Sequence, residues 1–234
     1  MSLLRVLRAP LLGALTALAG CGGEVPVEVD AGPFTFEVDG NRIALPTAWR
    51  NGGTVASPAC AAASDCPALG PDAPAVRCDA GRCVAEPFRF ELATPGVIDL
   101  TSYAPSLSAL GNVLDSVTVT AIRYDARATA ASFAAGPVEL FWGPESASSL
   151  RSDGVQALGT VPDLRFQAGQ STRGAVAVDP RGSAALGQYI LQNSRRFRVF
   201  ARAAVRVAPG APVPSGQASI AVTVSLRAVG DFVR

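Results

Sequence analysis

The stretch RFRVFARAAVRV, residues 196–207, decides the fold class of this chain. Successive side chains of a β-strand point to opposite faces, so an apolar residue at every second position predicts a strand with one buried face. The apolar positions here are Phe197, Val199, Ala201, Ala203, Val205 and Val207. The stretch ASIAVTVSL, residues 218–226, alternates in the same way, and a Pro- and Gly-rich segment, residues 209–216, joins the two. We expect these two strands to pair antiparallel in the core of a sheet.

Shorter alternating stretches, separated by Gly, Pro and Ser, occupy much of the chain before residue 196. They predict strands at residues 88–92, 96–101, 116–124, 138–142, 155–160 and 174–178. Within residues 116–124 the inward-facing set changes parity, which predicts a β-bulge or a bent strand. The pattern predicts an all-β fold: an antiparallel β-sandwich, immunoglobulin-like in the broad sense, of eight to ten strands.

One helix interrupts the strands. Asp179 is a good N-cap residue, and Pro180 suits the first position of a helix. Leu186, Ile190 and Leu191 then recur at helical spacing. We expect a single short helix of about three turns that crosses one open end of the sandwich.

The first part of the chain, residues 1–20, has the features of a secretory signal peptide. Arg5 and Arg8 precede an apolar run that is shorter than the roughly 20 residues needed by a membrane-spanning helix. The run ends in Leu18-Ala19-Gly20-Cys21, which resembles the lipobox of bacterial lipoproteins. That resemblance implies a diacylglyceryl thioether on Cys21, cleavage before it and acylation of the new amino terminus. The alternative is an ordinary signal peptide that leaves a cysteine near its cleavage site.

Attachment through Cys21 would hold the protein on a membrane without a spanning helix. Two or more acyl chains anchor a protein stably, whereas one chain holds it only marginally. Gly22 stands where, by resemblance to known sorting rules, an aspartate would favour retention in the inner membrane. The resemblance therefore implies an outer-membrane lipoprotein of the cell envelope, whose lipid anchor makes the membrane a partner.

The segment that follows, residues 21–33, is small, acidic and proline-containing. Such a segment has too little apolar surface to offset its chain entropy, which predicts a flexible tether. The β-sandwich domain is expected at residues 34–229. At its start, residues 34–45 alternate on both sides of Asp39-Gly40-Asn41, which predicts a hairpin.

Four further cysteines, Cys60, Cys66, Cys78 and Cys83, lie in a Gly-, Pro- and Ala-rich insertion, residues 57–86. In an exported protein they indicate two disulfides, each of which contributes roughly 3 kcal/mol by restricting the unfolded chain. The alternative is a zinc site, although gaps of five, eleven and four residues do not match paired C-x2-C knuckles. Three disulfide pairings are possible. We favour Cys60–Cys78 with Cys66–Cys83, because interlocked pairs best rigidify a short loop.

The pattern Asp65-Cys66, then Cys78, then Gly81-Arg82-Cys83 resembles the short cysteine modules of bacterial surface lipoproteins. It is also similar to the first half of a Dickkopf-type cysteine-rich segment. That family carries many more cysteines, so its receptor binding is not carried over. The insertion serves either as a disulfide-stapled loop that resists proteolysis or as a recognition loop.

Histidine is absent from the sequence, which excludes Ser-His-Asp and Cys-His nucleophile systems and every His-based metal site. Removing residues 1–20 takes away Arg5 and Arg8 and no acid, so the formal net charge changes from +1 to −1. A nearly neutral chain gives no electrostatic case for binding nucleic acid. No catalytic motif, metal site or cofactor site is predicted.

Three groups of side chains are candidates for binding or catalysis. A row of arginines alternates with the apolar residues of the strand at 196–207 and forms either an anion or partner surface or a solvated face paired with cross-strand acids: Arg196, Arg198, Arg202 and Arg206. Four carboxylates are available for glycoside chemistry, but no spacing singles out a pair: Asp99, Asp115, Asp125 and Glu139. Trp142 and Tyr103 lie near turns and either line a sugar-binding surface or pack in the core.

The sequence as a whole favours a membrane-anchored, non-enzymatic envelope lipoprotein that binds or scaffolds another envelope component, either a protein or a glycan. The alternative is a His-free carbohydrate-active or hydrolytic enzyme that uses carboxylates. The enzyme hypothesis requires two or three acids or polar groups that converge in one cleft, which a structure can test.

Overall fold

The computed structural model describes residues 24–70, 73–94, 96–109, 114–129 and 131–231. The predicted signal peptide and Cys21 therefore lie outside the described residues. The strands, numbered in chain order, are β1 Glu24–Asp39, β2 Arg50–Asn51, β3 Thr54–Val55, β4 Val76–Asp79, β5 Arg82–Ala85, β6 Phe88–Ala93, β7 Ile98–Asp99, β8 Leu114–Ala128, β9 Ser132–Ala135, β10 Val138–Pro144, β11 Gln156–Val161, β12 Leu164–Gln167, β13 Ser171–Ala175, β14 Ala177–Val178, β15 Arg196–Arg206 and β16 Gln217–Asp231. The helices are α1 Leu100–Tyr103, α2 Ser106–Ala109 and α3 Pro180–Gln192.

The fold is an antiparallel β-sandwich, as predicted, although the two sheets in the described residues contain four and eight strands, more than the eight to ten expected in all. The smaller sheet has the strand order β1-β16-β8-β13, and the larger sheet has the order β12-β9-β15-β10-β11-β14, with β6 and β7 also paired to β15. The inward residues of both sheets fall at every second position, because each strand turns one face to the core. In β15 and β16 the fully buried ones are Phe197, Val199, Ala201, Ala203, Val205, Ile220, Val222 and Val224.

The two most strongly patterned strands do not pair with each other, so this part of the prediction was wrong. β15 lies in the larger sheet between β10 and the β6–β7 side, whereas β16 lies in the smaller sheet between β1 and β8. The segment at 207–216 carries the chain from one sheet to the facing one. Alternation shows which side chains face the core, but it does not show which strands are neighbours. β15 and β16 alternate in the same way although they face the core from opposite sheets.

The expected tether is also wrong for the residues that the structure describes. β1 begins at Glu24 and pairs with β16 as far as Asp39, with a register shift between Ala31 and Phe34. Val29 and Ala31 are buried, while the acids Glu28 and Asp30 that alternate with them are exposed. The segment therefore alternates like a half-buried strand, although its overall composition is that of a linker.

The predicted hairpin at residues 34–45 does not form, because β16 occupies the place beside β1. The chain turns instead through a single 3₁₀ turn, Gly40–Arg42, in which the Asp39 side chain accepts a hydrogen bond from the backbone N–H of Asn41. Gly40 lies against the Phe133 ring, so close that a Cβ at this position would be 2.8 Å from a ring carbon.

The change of parity predicted within residues 116–124 is a β-bulge in β8, at Thr120. Ser225 of β16 is opposite Ala121, and Leu226 is opposite Val119, which leaves Thr120 unpaired in the ladder. Its hydroxyl donates to the carbonyl of Ser225 at 3.2 Å. The bulge allows one strand to keep apolar residues inward on both sides of the shift.

The predicted helix is α3, and it packs across an open side of the sandwich. The Asp179 carboxylate accepts hydrogen bonds from the backbone N–H groups of Arg181 and Gly182, at 2.9 and 2.8 Å. The Trp142 indole N–H donates to the carbonyl of Gly182 at 2.9 Å. α3 contacts β8 of the smaller sheet and β10 and β11 of the larger one. The single helix that we expected is accompanied by two one-turn helices, α1 and α2.

No helix in the described ranges is both long and apolar enough to cross a membrane.

Two helical glycines set how closely α3 approaches the sheets. A Cβ at Gly182 would overlap the carbonyl of Ala157, and one at Gly187 would overlap the carbonyl of Val117. Gly182→Ala should therefore lower the free energy of unfolding by about 1–3 kcal/mol, despite the better helix propensity of alanine. Chemical denaturation measures this change, with Gly53→Ala as control, since no atom lies within 4 Å of a Cβ at Gly53. An unchanged or raised stability of Gly182→Ala would contradict the packing described for α3.

Candidate functional site

The cysteine insertion contains two interlocked disulfides. Cys60 bonds Cys78 and Cys66 bonds Cys83, with S–S distances of 2.09 and 2.15 Å, which confirms the predicted disulfides in the favoured pairing. All four sulfurs are consumed in these bonds, so no thiolate is left for zinc and the zinc alternative is wrong. We call residues 57–86 the disulfide module.

The disulfide module is fixed to one end of the sandwich. The Trp49 side chain is buried, and its indole N–H donates to the carbonyl of Pro67 at 2.9 Å. The backbone N–H of Val55 donates to Ala211, and that of Gly210 donates to Val55, at 2.8 and 2.9 Å. These bonds attach β3, which directly precedes the module, to the connection between β15 and β16. Ser57 and Arg82 of the module border the same pocket as Pro209 and Gly210 of that connection.

The β4–β5 hairpin is one of the exposed parts of the module. Its turn has Ala80 at φ 49° and Gly81 at φ 75°, the left-handed pair that a tight two-residue hairpin requires. Residues 79–82 are exposed, whereas Cys83 is fully buried beneath them. The hairpin therefore presents polar side chains and a fixed backbone on a rigid base.

The amino-terminal end of β1 and the disulfide module lie at opposite ends of the sandwich. Glu24 is opposite Asp231 at one end of the β1–β16 ladder, and Asp39 is opposite Gln217 at the other. The connection beside which the module lies, residues 207–216, directly precedes Gln217. A strand of 16 residues is roughly 50 Å long. The chain therefore enters the fold about that far from the module.

The predicted arginine row lies on the outer face of the larger sheet, and most of it is paired. Arg196 lies 3.1 Å from a carboxylate oxygen of Glu145, and the Arg198 guanidinium donates to the Glu145 carbonyl at 3.0 Å. Arg202 lies 3.4 Å from the Glu139 carboxylate and over the Phe141 ring, 5.1 Å from its centroid. In the described part of the chain, Arg206 alone of the four has no such partner. The row therefore fits the second interpretation from the sequence, a solvated face whose arginines pair with acids.

The four candidate carboxylates do not converge. Glu139 is on the outer face of the larger sheet, and Asp125 is on the outer face of the smaller one. Asp115 lies at the start of β8 beside α3. Asp99 accepts hydrogen bonds from the side chain and backbone of Thr101, which lower the pKa of its carboxyl. A glycosidase general acid needs a raised pKa, so neither Asp99 nor the arginine-bonded Asp125 fits that role.

The two candidate aromatic residues are placed differently. Trp142 is buried under α3 and is part of the core. Tyr103 is 42% exposed and packs edge-on against Phe34, with 6.1 Å between the ring centroids. They do not share a surface, so they do not form a sugar-stacking platform.

A cluster of charged residues, of which only Asp125 was a candidate from the sequence, lies on the outer face of the smaller sheet. Asp125 of β8 accepts two hydrogen bonds from Arg127, at 3.1 and 2.8 Å, and a third from Arg173 of β13 at 3.0 Å. These bonds, with that from Arg127 the strongest, lower the pKa of the Asp125 carboxyl. Arg123 lies on the same face and is exposed. We call Arg123, Asp125, Arg127 and Arg173 the arginine cluster.

The arginine cluster borders a shallow groove of about 780 Å³ on the same face. The floor of the groove consists of small side chains from β1 and β16, namely Thr35, Ser219, Ala221 and Thr223. The alternation of Arg123, Asp125 and Arg127 in β8 was a visible signal for this face. Arg173 was not predictable as its neighbour, because it lies 48 residues further along the chain from Asp125.

The two disulfides close loops of almost equal length, 18 and 17 residues, so their entropic contributions are both about 3 kcal/mol. Cys66 and Cys83 are buried, whereas Cys60 and Cys78 are half-buried. Cys66→Ala/Cys83→Ala should therefore cost more stability than Cys60→Ala/Cys78→Ala, since buried contacts are lost in addition. Urea denaturation of the two double variants measures the difference. Equal costs, or the reverse order, would show that the buried bridge is not the core of the module.

No protein-family model matches this chain, and no curated protein matches it. It is similar to solved structures of Desmodium yellow mottle tymovirus (10% identity, TM-score 0.26, covering 100% of this chain and 97% of that one) and turnip yellow mosaic virus (9%, 0.24, 100% and 89%). A third is the cryo-EM structure of mud crab tombus-like virus (12%, 0.31, 100% and 94%). TM-scores this low carry no argument about what the chain does.

Proposed function

We propose that this protein is a lipoprotein of the bacterial cell envelope, anchored to the outer membrane through Cys21, which binds another envelope component with its disulfide module. One observation carries the proposal. The lipobox cysteine lies three positions before Glu24, where β1 begins, and the module is at the far end of that strand. Anchor and module are thus at opposite ends of one rigid body.

The short spacing between Cys21 and β1 determines how the domain is held. Three residues span at most about 10 Å even when fully extended. The end of the sandwich that contains Glu24 therefore stays close to the lipid surface. β1 supplies the separation that a flexible tether would otherwise supply, and the module faces away from the anchor.

The disulfide module is suited to recognition because it is rigid before any partner arrives. A binding surface that is already ordered loses less conformational entropy on association than a mobile loop does. The interlocked disulfides fix its backbone, and Trp49 fixes it to the sandwich. The exposed residues Arg77, Asp79 and Arg82 supply charge and hydrogen-bonding groups for a polar partner surface.

The enzyme alternative receives less support from the geometry. Glycoside hydrolysis requires two carboxyl groups that face each other across about 5–9.5 Å. The candidate carboxylates lie on different faces of the sandwich, and Asp125 is held by two arginines. A binding role is the better account of this arrangement.

The proposal is tested in cells by a photo-crosslinking amino acid at residue 77, at the exposed hairpin of the module. We expect residue 77 to crosslink to a defined envelope component. The same amino acid at residue 151, an exposed arginine position in the connection between β10 and β11, serves as the matched control and should give no such product.

Cys21→Ala completes this experiment. The variant should incorporate no labelled palmitate, remain as uncleaved precursor and lose the crosslinked product, because the module no longer reaches its partner from the membrane. Normal processing of Cys21→Ala would refute the lipid anchor. Equal crosslinking from residues 77 and 151 would refute the module as the binding surface.

A further inference from the structure

We propose that the groove beside the arginine cluster binds an anionic saccharide, whose carboxylate or phosphate group is held by Arg123, Arg127 and Arg173. This site is on the side of the sandwich and needs neither the lipid anchor nor the disulfide module. It is therefore independent of the function proposed above. Nothing in the arrangement of the module predicts it.

The arginine cluster has an excess of positive charge on one small area. The cluster contains three guanidinium groups and one carboxylate, which leaves a formal charge of +2. Arg123 has no ion pair or hydrogen bond to any described residue. Glu37 is on the same face, but it lies on β1 and β16 separates it from β8, roughly 10 Å away. An anion can therefore contact the arginines without contacting Glu37.

Asp125 orients Arg127 and Arg173 but does not use all of their hydrogen-bond donors. Arg127 uses its Nε and one terminal amino group on Asp125, and Arg173 uses only its Nε. The remaining terminal amino groups are free to donate, and the side chains of Arg127 and Arg173 are 62% and 71% exposed. Guanidinium groups that are already oriented lose less freedom when they bind a carboxylate or phosphate in a bidentate manner.

The side chains on the floor of the groove would contact the sugar ring, while the arginines hold its acidic group. Thr35, Ser219 and Thr223 present hydroxyl groups, and Ala221 between them adds only a methyl group. Hydroxyls both donate and accept hydrogen bonds, which matches the hydroxyls of a sugar ring. A volume of about 780 Å³ is in the range of small-molecule sites. Tyr124 is the one aromatic residue among those described that lines the groove, and it is only 7% exposed, so it offers no open ring face on which a nucleobase could stack, which disfavours single-stranded nucleic acid.

Isothermal titration calorimetry on the full chain in detergent micelles tests the site. The probes are an oligogalacturonate, glucose 6-phosphate and a neutral cello-oligosaccharide. We expect one or both anionic probes to bind and the neutral probe not to bind. Raising NaCl from roughly 0.05 M to roughly 0.5 M should weaken the interaction, because the arginines are exposed to screening. Which anionic probe binds more tightly identifies the acidic group.

Variants connect the binding to the arginine cluster. Arg123→Gln/Arg173→Gln should lower the affinity at least about tenfold, while Arg206→Gln, an exposed arginine on the other sheet, should leave it unchanged. Circular dichroism melting checks that both variants fold. Cys21→Ala should bind as the native chain does, so failure of the lipid anchor and failure of this site are distinguishable.

Three results would overturn the proposal. Affinity that is unchanged in Arg123→Gln/Arg173→Gln would remove the arginines from the site. Inorganic phosphate that binds as tightly as glucose 6-phosphate, with no binding of the oligogalacturonate, would show that the saccharide contributes nothing. Binding of the Cys21→Ala protein to phosphatidylglycerol vesicles that is lost when Arg123→Gln/Arg173→Gln is added, without binding of either anionic saccharide, would assign the face to a lipid surface instead.

Discussion

The antiparallel pairing of β1 with β16 fixes the rest of the molecule. The ladder extends from Glu24 opposite Asp231 to Asp39 opposite Gln217, and β16 also carries β8 on its other side. The inward faces of these strands bury Phe36, Ile220, Val222 and Val224 against the larger sheet, and burial of each such side chain stabilises the fold by about 1.5–3 kcal/mol. A register shift of one residue would turn this entire set outward, so the core enforces the pairing.

This pairing also determines where the chain can act. It puts the amino-terminal end of β1 at one end of the sandwich and the disulfide module at the other, and it leaves the outer face of the smaller sheet open between them. The arginine cluster lies on that open face, and β16 separates it from the later part of β1.

Alternation in the sequence predicted the buried faces of the long strands and a bulge or bend within residues 116–124. The capping residues and helical spacing predicted α3, and the favoured disulfide pairing followed from the rigidity of interlocked pairs. Alternation could not identify strand neighbours, because β15 and β16 alternate identically although they lie in different sheets. The tether prediction failed because composition was weighed above the alternation of Val29 and Ala31 with acids. The arginine cluster was not predicted, because Asp125 and Arg173 are brought together only by the pairing of β8 with β13, which no local pattern encodes.

The height of the disulfide module above the bilayer tests this account most directly. A donor fluorophore at residue 77, and in a separate sample at residue 28, is measured by energy transfer to acceptor-labelled lipids, using the lipidated protein in liposomes. The account predicts strong transfer from residue 28 and weak transfer from residue 77, which would lie roughly 50 Å from the lipid surface. Equally strong transfer from both positions would contradict it, because the sandwich would then lie flat and the module would face the membrane. No transfer from either position would show that the chain is not anchored.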